Sequence, residues 1–257
     1  MKTLMIHDVR RAYFDLPLEQ FQLTFDDGLY SQYYYLPLLE NHPAPLVFFI
    51  ATGFIQPGAA RGVFEGQWRP YLKSKRYMYR AMIEKEHDFY MSVDEVIRLA
   101  ALPNVVIGAH SHFHDVILTR THARKRKPPS DWKLARFADV DDPAGKGFSI
   151  RSRLAFRGYD ARRGRVERRT RSEWEDYIKY DTECCLSWFE RHLGFTPDRY
   201  CFPFNEYSSP LVTLLQSFGF RYFYAARAAA NDLIRPRKDI DRLLTEFDLS
   251  RGRDTPR

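Results

Sequence analysis

The chain has 257 residues, of which 44% are hydrophobic and 28% charged, a composition typical of a soluble globular protein with a sizeable core. The longest apolar run, "PLVFFIATGFI", is too short for a membrane-spanning helix, which needs roughly 18 residues, and charge returns too soon after the N-terminus for a signal peptide. The three cysteines form no disulfide framework and the net charge is +7, so we expect a cytoplasmic protein with a basic region.

Strands and helices alternate in the first half of the chain. We predict strands at the apolar stretches "TLMIHDV", "FQLTF", "PLVFFIAT" and "NVVIGAH". Between them, "SQYYYLPLLENH" predicts a helix that Ser31 caps and Pro43 ends. "SVDEVIRLAAL" predicts a second helix, with Ser92 and Glu95 in a capping box.

The same alternation resumes in the last third of the chain. "SEWEDYIKYDTECCLSWFERHLG" predicts a long helix that ends at Gly194, and "SSPLVTLLQSFG" predicts another that Ser209 caps. We predict strands at "RYCFPF", "RYFYAA" and "DLIRP". Such alternation indicates six or seven parallel strands joined by crossover helices, either as an open sheet or as a barrel. In both architectures the ligand binds at the carboxyl ends of the strands.

Acidic and imidazole side chains follow these predicted strands. Asp26 and Asp27 follow the second strand, His110 and His114 follow the fourth, and His7 ends the first. Carboxylate and imidazole ligands suit Zn²⁺ and its neighbours among the divalent metals. Two histidines four residues apart point the same way on a helical turn. A metal would also explain how adjacent carboxylates coexist, because one is neutralised as a ligand and the other stays free as a base.

Four stretches of the sequence resemble one enzyme family. "TFDDG" followed by "HSHFH" resembles the first two motifs of the polysaccharide deacetylases, the NodB-homology group of carbohydrate esterase family four. "MIHDV" and "CFPFNE" resemble the "YHxV" and "AYPFG" motifs of one subgroup. The resemblance covers most of the chain apart from a basic segment and the C-terminal tail. It implies an α/β fold, a distorted (β/α) barrel, as a single domain over residues 1–257 with a basic insertion at 119–171.

The resemblance also implies roles for individual residues. Asp27, His110 and His114 would bind the metal, and Asp26 would be the general base that takes a proton from the attacking water. The backbone N–H near Phe204 would help to hold the oxyanion. The cofactor would be Zn²⁺, with Co²⁺, Ni²⁺, Fe²⁺ or Mn²⁺ as alternatives.

The sequence departs from the family pattern in two places. The arginine that orients the catalytic aspartate in the family is missing near Cys201, and we expect Arg235 or Arg237 to reach in from another strand instead. The late histidine that serves many members as general acid is also missing, because all eight histidines lie at or before His192. His7 or a water molecule would then supply the proton.

The positive charge is concentrated in one segment. Between Arg120 and Arg171, 13 Arg and 4 Lys stand against 5 Asp and 1 Glu, a net charge of +11, so the rest of the chain sums to −4. Within it, "GFSIRSRLAFRGYDARRGRVERRT" alternates apolar and basic residues and predicts a β-hairpin. The simplest interpretation is a solvated surface. The alternative is an arm over the site, with Arg162, Arg163 and Arg165 binding phosphate, pyrophosphate or carboxylate.

These observations favour a metal-dependent N-deacetylase. Charge and the lack of an export signal indicate that the substrate is an N-acetylated sugar of an anionic glycan intermediate, linked to a nucleotide or a lipid. We expect this intermediate to belong to surface-polysaccharide (O-antigen or capsule) synthesis, with peripheral contact of the protein at the inner membrane. One alternative is a hydrolase of a small non-sugar C–N bond, and another is a catalytically weak protein that binds metal and glycan. Nucleic-acid binding ranks last, because the basic segment lacks recognition motifs.

Overall fold

The computed structural model of the protein describes residues 1–120, 130–140, 147–162, 165–227 and 233–250, without the side chain of Arg162. The strands within these ranges are β1 Lys2–Ile6, β2 Phe21–Phe25, β3 Leu46–Ile50, β4 Val105–Ala109, β5 Val116–Arg120, β6 Phe148–Ser152, β7 Tyr159–Arg162, β8 Arg165–Arg168, β9 Arg199–Cys201, β10 Tyr222–Ala225, β11 Ile234–Pro236 and β12 Lys238–Asp239. The helices are α1 Tyr30–Tyr34, α2 Ser74–Tyr79, α3 Val93–Ala100, α4 Asp131–Ala135, α5 Arg171–Leu193, α6 Ser209–Ser217 and α7 Ile240–Ser250. None of the helices in these ranges is long and apolar enough to cross a membrane.

Eight strands form one parallel sheet in the order β11-β10-β9-β4-β3-β2-β1-β12. β11 and β12 lie at opposite edges of this sheet, yet only Arg237 separates them in the chain. The sheet therefore curves until its two edges meet at one residue, which gives a nearly closed barrel. The predicted (β/α) barrel is confirmed. The sequence predicted six or seven strands because the last one, "DLIRP", continues past Arg237 into β12.

Side chains of the barrel strands alternate between two environments, as the period of a strand requires. In β3, Leu46, Phe48 and Ile50 pack in the main core with the surrounding helices, whereas Val47 and Phe49 face the barrel interior. The same alternation in β2 sends Leu23 and Phe25 to the main core. It leaves Thr24 and Asp26 on the interior face, so a carboxylate is carried into the barrel at the end of this strand.

The basic segment forms a second sheet beside the barrel. Its four strands are antiparallel in the order β6-β5-β7-β8, and β7 and β8 pair as a hairpin, as predicted. This sheet shares a second hydrophobic cluster with α2 and α4, in which Trp132, Met78 and Leu118 are buried. The insertion is thus packed against the barrel through its own core.

The helices follow the sequence patterns with a few differences. The capping box of Ser92 and Glu95 is present on α3, and α5 ends at Gly194 in a left-handed conformation. Ser31 does not cap α1, because its hydroxyl accepts a hydrogen bond from the Val9 N–H instead. Three of the described helices were not predicted: α2, which continues into a π-helical turn at Arg80–Glu84, α4 and α7.

Candidate active site and metal centre

Tight turns place the polar side chains at the carboxyl ends of β2 and β4. Asp27 has φ 76°, so the chain leaves β2 in the left-handed region and turns this side chain away from the path of Asp26. After β4, Ser111 has φ 67° and His114 has φ 48°, and the Ser111 hydroxyl accepts a hydrogen bond from the His114 N–H at 2.9 Å. These turns bring His110 and His114 to the same side of the strand ends.

Asp27, His110 and His114 form a buried three-residue group. The Asp27 Oδ1 atom lies 3.2 Å from His110 Nε2 and 3.5 Å from His114 Nε2. All three side chains are almost fully buried. One ligand atom from each lies within 4.8 Å of the other two, which is the arrangement of a group able to hold a metal ion. The structure thus brings together the three residues that the sequence predicted as ligands.

The details of this group fit a divalent cation. Asp27 Oδ1 is buried and has no hydrogen-bond partner among the described residues, while Oδ2 accepts a hydrogen bond from the Tyr77 hydroxyl at 3.0 Å. His110 Nδ1 lies 2.9 Å from the Cys201 carbonyl oxygen, so it carries the proton and leaves the Nε2 lone pair free for a metal. In a tetrahedral zinc site with bonds of about 2.0–2.1 Å, neighbouring ligand atoms lie about 3.3 Å apart. The observed separations from Asp27 Oδ1 match that value.

The electrostatics of the group favour a positive charge beside Asp27. Burial would raise the pKa of Asp27, but His110 and His114 hold it well below its ordinary value. Burial lowers the pKa of His114 to about 3, whereas contacts with Cys201 and Asp27 raise the pKa of His110 against its burial. The shifts are opposite because Cys201, Asp27 and Asp26 all act on His110, whereas burial dominates at His114. Either a proton on His110 or a bound divalent ion would balance the negative charge of Asp27.

Asp26 makes a buried ion pair with Arg237. Its two oxygens accept hydrogen bonds from Arg237 Nη1 at 2.6 Å and Nη2 at 2.8 Å. Burial would raise the pKa of Asp26, but the guanidinium outweighs it and keeps the pKa below the ordinary value. Arg237 thus takes the orienting position for which the sequence suggested Arg235 or Arg237. Arg235 instead lies over the ring of Tyr222, 4.7 Å from its centroid.

A cavity of about 250 Å³ opens over the two aspartates. His7 lines it from the end of β1, and Phe204 lines it from the turn after β9. Phe204 has φ 60°, and its ring lies 4.5 Å from that of His114. Among the backbone hydrogen bonds of the described residues, none has the Phe204 N–H as donor. The residues predicted as base, oxyanion donor and acid therefore all border one cavity.

The sequence did not predict that Asp181 supports this site. Asp181 lies in the middle of α5 and is 1% exposed, and its carboxylate accepts hydrogen bonds from the His112 N–H at 3.1 Å and the Phe113 N–H at 2.9 Å. It therefore ties the turn that carries His110 and His114 to the longest helix. The only signal in the sequence was an acidic residue on the apolar face of that helix. His112 points away from the metal group, with Nδ1 2.9 Å from the Thr52 hydroxyl.

The structure describes only one of the three predicted hairpin arginines together with its side chain. Arg165 is exposed at the start of β8. Arg163 and the side chain of Arg162 lie outside the described residues. None of the described hairpin residues lines the cavity, and the part of the basic segment that does so is the beginning of α4, through Trp132 and Lys133.

Comparisons with known proteins give structural matches only. No protein-family model and no curated protein matches the sequence. The deacetylase domain of BpsB from Bordetella bronchiseptica is similar over 85% of this chain and 70% of its own, with 18% identity and a TM-score of 0.56. A de-N-acetylase from Aggregatibacter actinomycetemcomitans is similar over 92% of this chain and 79% of its own, with 14% identity and a TM-score of 0.56. IcaB from Ammonifex degensii is similar over 95% of both chains, with 15% identity and a TM-score of 0.56.

The chain has the polysaccharide deacetylase fold. The resemblance that four short sequence motifs indicated therefore extends to the arrangement of the whole barrel. In this polysaccharide deacetylase fold, the buried group of Asp27, His110 and His114 lies at the carboxyl ends of the strands.

Proposed function

We propose that the protein is a metal-dependent carbohydrate N-deacetylase, a hydrolase that cleaves the C–N bond of an N-acetyl group. The observation that carries the proposal is the pairing of two different carboxylates in one cavity. Asp27 faces two imidazoles and has a buried oxygen without a hydrogen-bond partner among the described residues, while Asp26 is held by an arginine. Two adjacent acids with separate environments suit two separate tasks.

Asp27, His110 and His114 would hold the cation, with Zn²⁺ as the first choice and Co²⁺, Ni²⁺, Fe²⁺ or Mn²⁺ as alternatives. When bound, such an ion would act as a Lewis acid toward the amide carbonyl and would lower the pKa of water. Tyr77 and the Cys201 carbonyl would keep the first two ligands oriented, because each binds the ligand atom that faces away from the metal position.

Asp26 would serve as the general base. Arg237 keeps it ionised and fixes both of its oxygens, so the remaining lone pairs point in a defined direction. It would accept a proton from the attacking water as the new C–O bond forms. When the C–N bond breaks, that proton or one from His7 would pass to the leaving nitrogen. The products are a free amine and acetate.

The Phe204 N–H would donate a hydrogen bond to the carbonyl oxygen as negative charge develops there. The left-handed turn at Phe204 supports this role, because it presents a backbone N–H that no described backbone acceptor uses.

For the substrate, we propose an N-acetylated sugar of an anionic glycan, carried on a nucleotide or on a lipid at the inner membrane surface during O-antigen or capsule synthesis. The concentration of positive charge in residues 120–171 supports it, since such a region attracts anions locally. The exposed hairpin that carries Arg165, with its neighbours Arg162 and Arg163, is the proposed contact for phosphate or for an anionic membrane surface.

The first test separates metal binding from catalysis. His110→Ala and His114→Ala should abolish stoichiometric zinc uptake, measured by elemental analysis after dialysis, while Asp26→Asn should retain the metal. Asp26→Asn should nevertheless lower acetate release from an N-acetylated oligosaccharide by about 10²–10⁴-fold, the usual contribution of a general base. Zinc content that survives both histidine substitutions would contradict the ligand assignment.

The same experiment decides between the proposal and its alternatives. A catalytically weak binding protein would take up metal and bind glycan but release no acetate from any N-acetylated sugar. A hydrolase of a small non-sugar amide would hydrolyse acetamide-like compounds faster than sugars, with the same dependence on Asp26.

A further inference from the structure

The insertion places one lysine against the proposed active site. Lys133 belongs to α4, and its side chain lines the cavity that contains Asp26 and Asp27. The ammonium nitrogen lies 4.3 Å from the centroid of the Phe204 ring, which is itself 4.5 Å from the His114 ring. Together these distances place the ammonium within about 9 Å of the His114 ring. This upper limit leaves room for one sugar ring with its substituents.

The ammonium group of Lys133 makes no ion pair with an acidic side chain of the described residues. Within the described residues, no carboxylate lies within 4 Å of it. Glu206 is the acid with the strongest electrostatic influence on Lys133, but it already binds Arg151 Nε and the Ser152 N–H. Burial accordingly lowers the pKa of Lys133. A half-buried cation without a counter-ion is unfavourable unless a ligand supplies the charge.

The surroundings keep this lysine in place. Trp132, the preceding residue, is 3% exposed and stacks on Phe204 with a centroid distance of 6.0 Å. The ammonium therefore rests on an aromatic platform that also forms one wall of the cavity.

We propose that Lys133 recognises an oxyanion, phosphate or carboxylate, carried by the sugar whose N-acetyl group lies over the metal group. This inference rests on the proposed function, since it places the N-acetyl group at Asp27 and an anionic substituent of the same sugar at Lys133. It also gives the basic insertion a defined contact inside the cavity, separate from the exposed arginines of the hairpin.

The test compares ligands that differ only in charge. Binding of N-acetylglucosamine 1-phosphate, of an N-acetylated uronic acid and of N-acetylglucosamine is measured by calorimetry on the full-length, zinc-loaded protein in the Asp26→Asn background, which lacks the proposed general base and so suppresses turnover. Lys133→Met should weaken the affinity for at least one of the two anionic sugars by about 10- to 100-fold relative to the neutral sugar, the usual worth of a charge-assisted contact. Lys133→Arg should retain most of the preference. Lys179→Met, which removes an exposed charge from α5, serves as the matched control.

The affected ligand identifies the oxyanion, as phosphate or as carboxylate. The proposal is overturned if Lys133→Met leaves the preference for both anionic sugars unchanged, or if it weakens the neutral sugar equally. Because binding is measured without turnover, the result does not depend on deacetylation. The two proposals can also be separated. If the protein releases no acetate but Lys133→Met still removes its preference for an anionic sugar, the proposed activity is rejected and the anion site is retained.

Discussion

At the residue scale, the contact with the largest expected effect is the ion pair between Arg237 and Asp26. Both side chains are almost completely buried. Removing one member leaves the other charge buried without a partner, which costs about 3–5 kcal/mol. We therefore expect Arg237→Met to lower the free energy of unfolding at pH 7 by about that amount, measured by urea denaturation. The double variant Arg237→Met with Asp26→Asn should lose less, because no isolated charge remains. An equal or greater loss in the double variant would contradict this explanation.

The same pair makes a prediction about pH. The pKa of Asp26 in the folded protein lies below its ordinary value of 3.8. The pair therefore contributes its full stability above about pH 4 and loses it as the pH falls through the lower, folded value. The difference in unfolding free energy between wild type and Arg237→Met should shrink as the pH is lowered from 7 to 3. A difference that stays constant over this range would show that Arg237 acts through packing and not through charge.

Asp181 should produce the opposite dependence. Burial raises its pKa to about 6, from an ordinary value of 3.8. The folded state then holds more protons than the unfolded state between about pH 4 and 6, so stability falls as the pH rises through this window, by about 3 kcal/mol. Asp181→Asn should flatten that fall in thermal denaturation curves. Asp176→Asn, on the exposed side of the same helix, should behave like wild type.

At the scale of elements, the arginines of the insertion divide into structural and exposed ones. Arg169 is 3% exposed, and its guanidinium donates hydrogen bonds to the carbonyl oxygens of Arg153, Phe156 and Arg157. It therefore joins the turn before β7 to the start of α5. Arg168, the preceding residue, is exposed. The net charge of this segment therefore overstates the number of arginines that are free to bind anions, because some of them have structural roles.

We expect Arg169→Met to lower the free energy of unfolding by about 3 kcal/mol or more, because three carbonyl groups in partly buried hydrogen bonds lose a charged donor. Arg168→Met removes the same charge from the surface and should change stability by less than about 0.5 kcal/mol. Urea denaturation of both variants checks the prediction, and similar values for the two would show that Arg169 is not a structural contact.

At the scale of the whole molecule, the candidate metal site links the two halves of the chain. Asp27 follows β2 and His110 follows β4, while the Cys201 carbonyl that orients His110 belongs to β9. A cation bound to the folded state alone, at 100 times its dissociation constant, adds about 2.7 kcal/mol of stability. For a chain of this length we expect zinc to raise the midpoint of thermal unfolding by about 5–10 °C. Asp27→Asn should abolish the shift and His112→Ala should retain it. A shift of similar size in Asp27→Asn would place the zinc elsewhere.

The sequence by itself determined those features of the protein that depend on residues close together in the chain. Alternating strands and helices, the capping box of Ser92 and Glu95 and the hairpin of the insertion all follow from periodicity or from spacings of a few residues. The acidic pair and His110 could be found in the same way, because they follow apolar strands, and parallel strands end on the same side of a sheet. The choice of Asp27 over Asp26 as the ligand came from the family resemblance.

Only the tertiary structure decided the contacts that complete the site. Arg237 lies 211 positions from Asp26, and Asp181 lies 69 positions from the His112 N–H. Neither pairing leaves a local pattern, since each depends on where the barrel closes or on which face of α5 meets the turn after β4. The position of Lys133 in the cavity could not be predicted for the same reason, because it depends on how α4 packs against the barrel. Periodicity reports which side chains face inward, whereas closure of the barrel between β11 and β12 determines which of them meet.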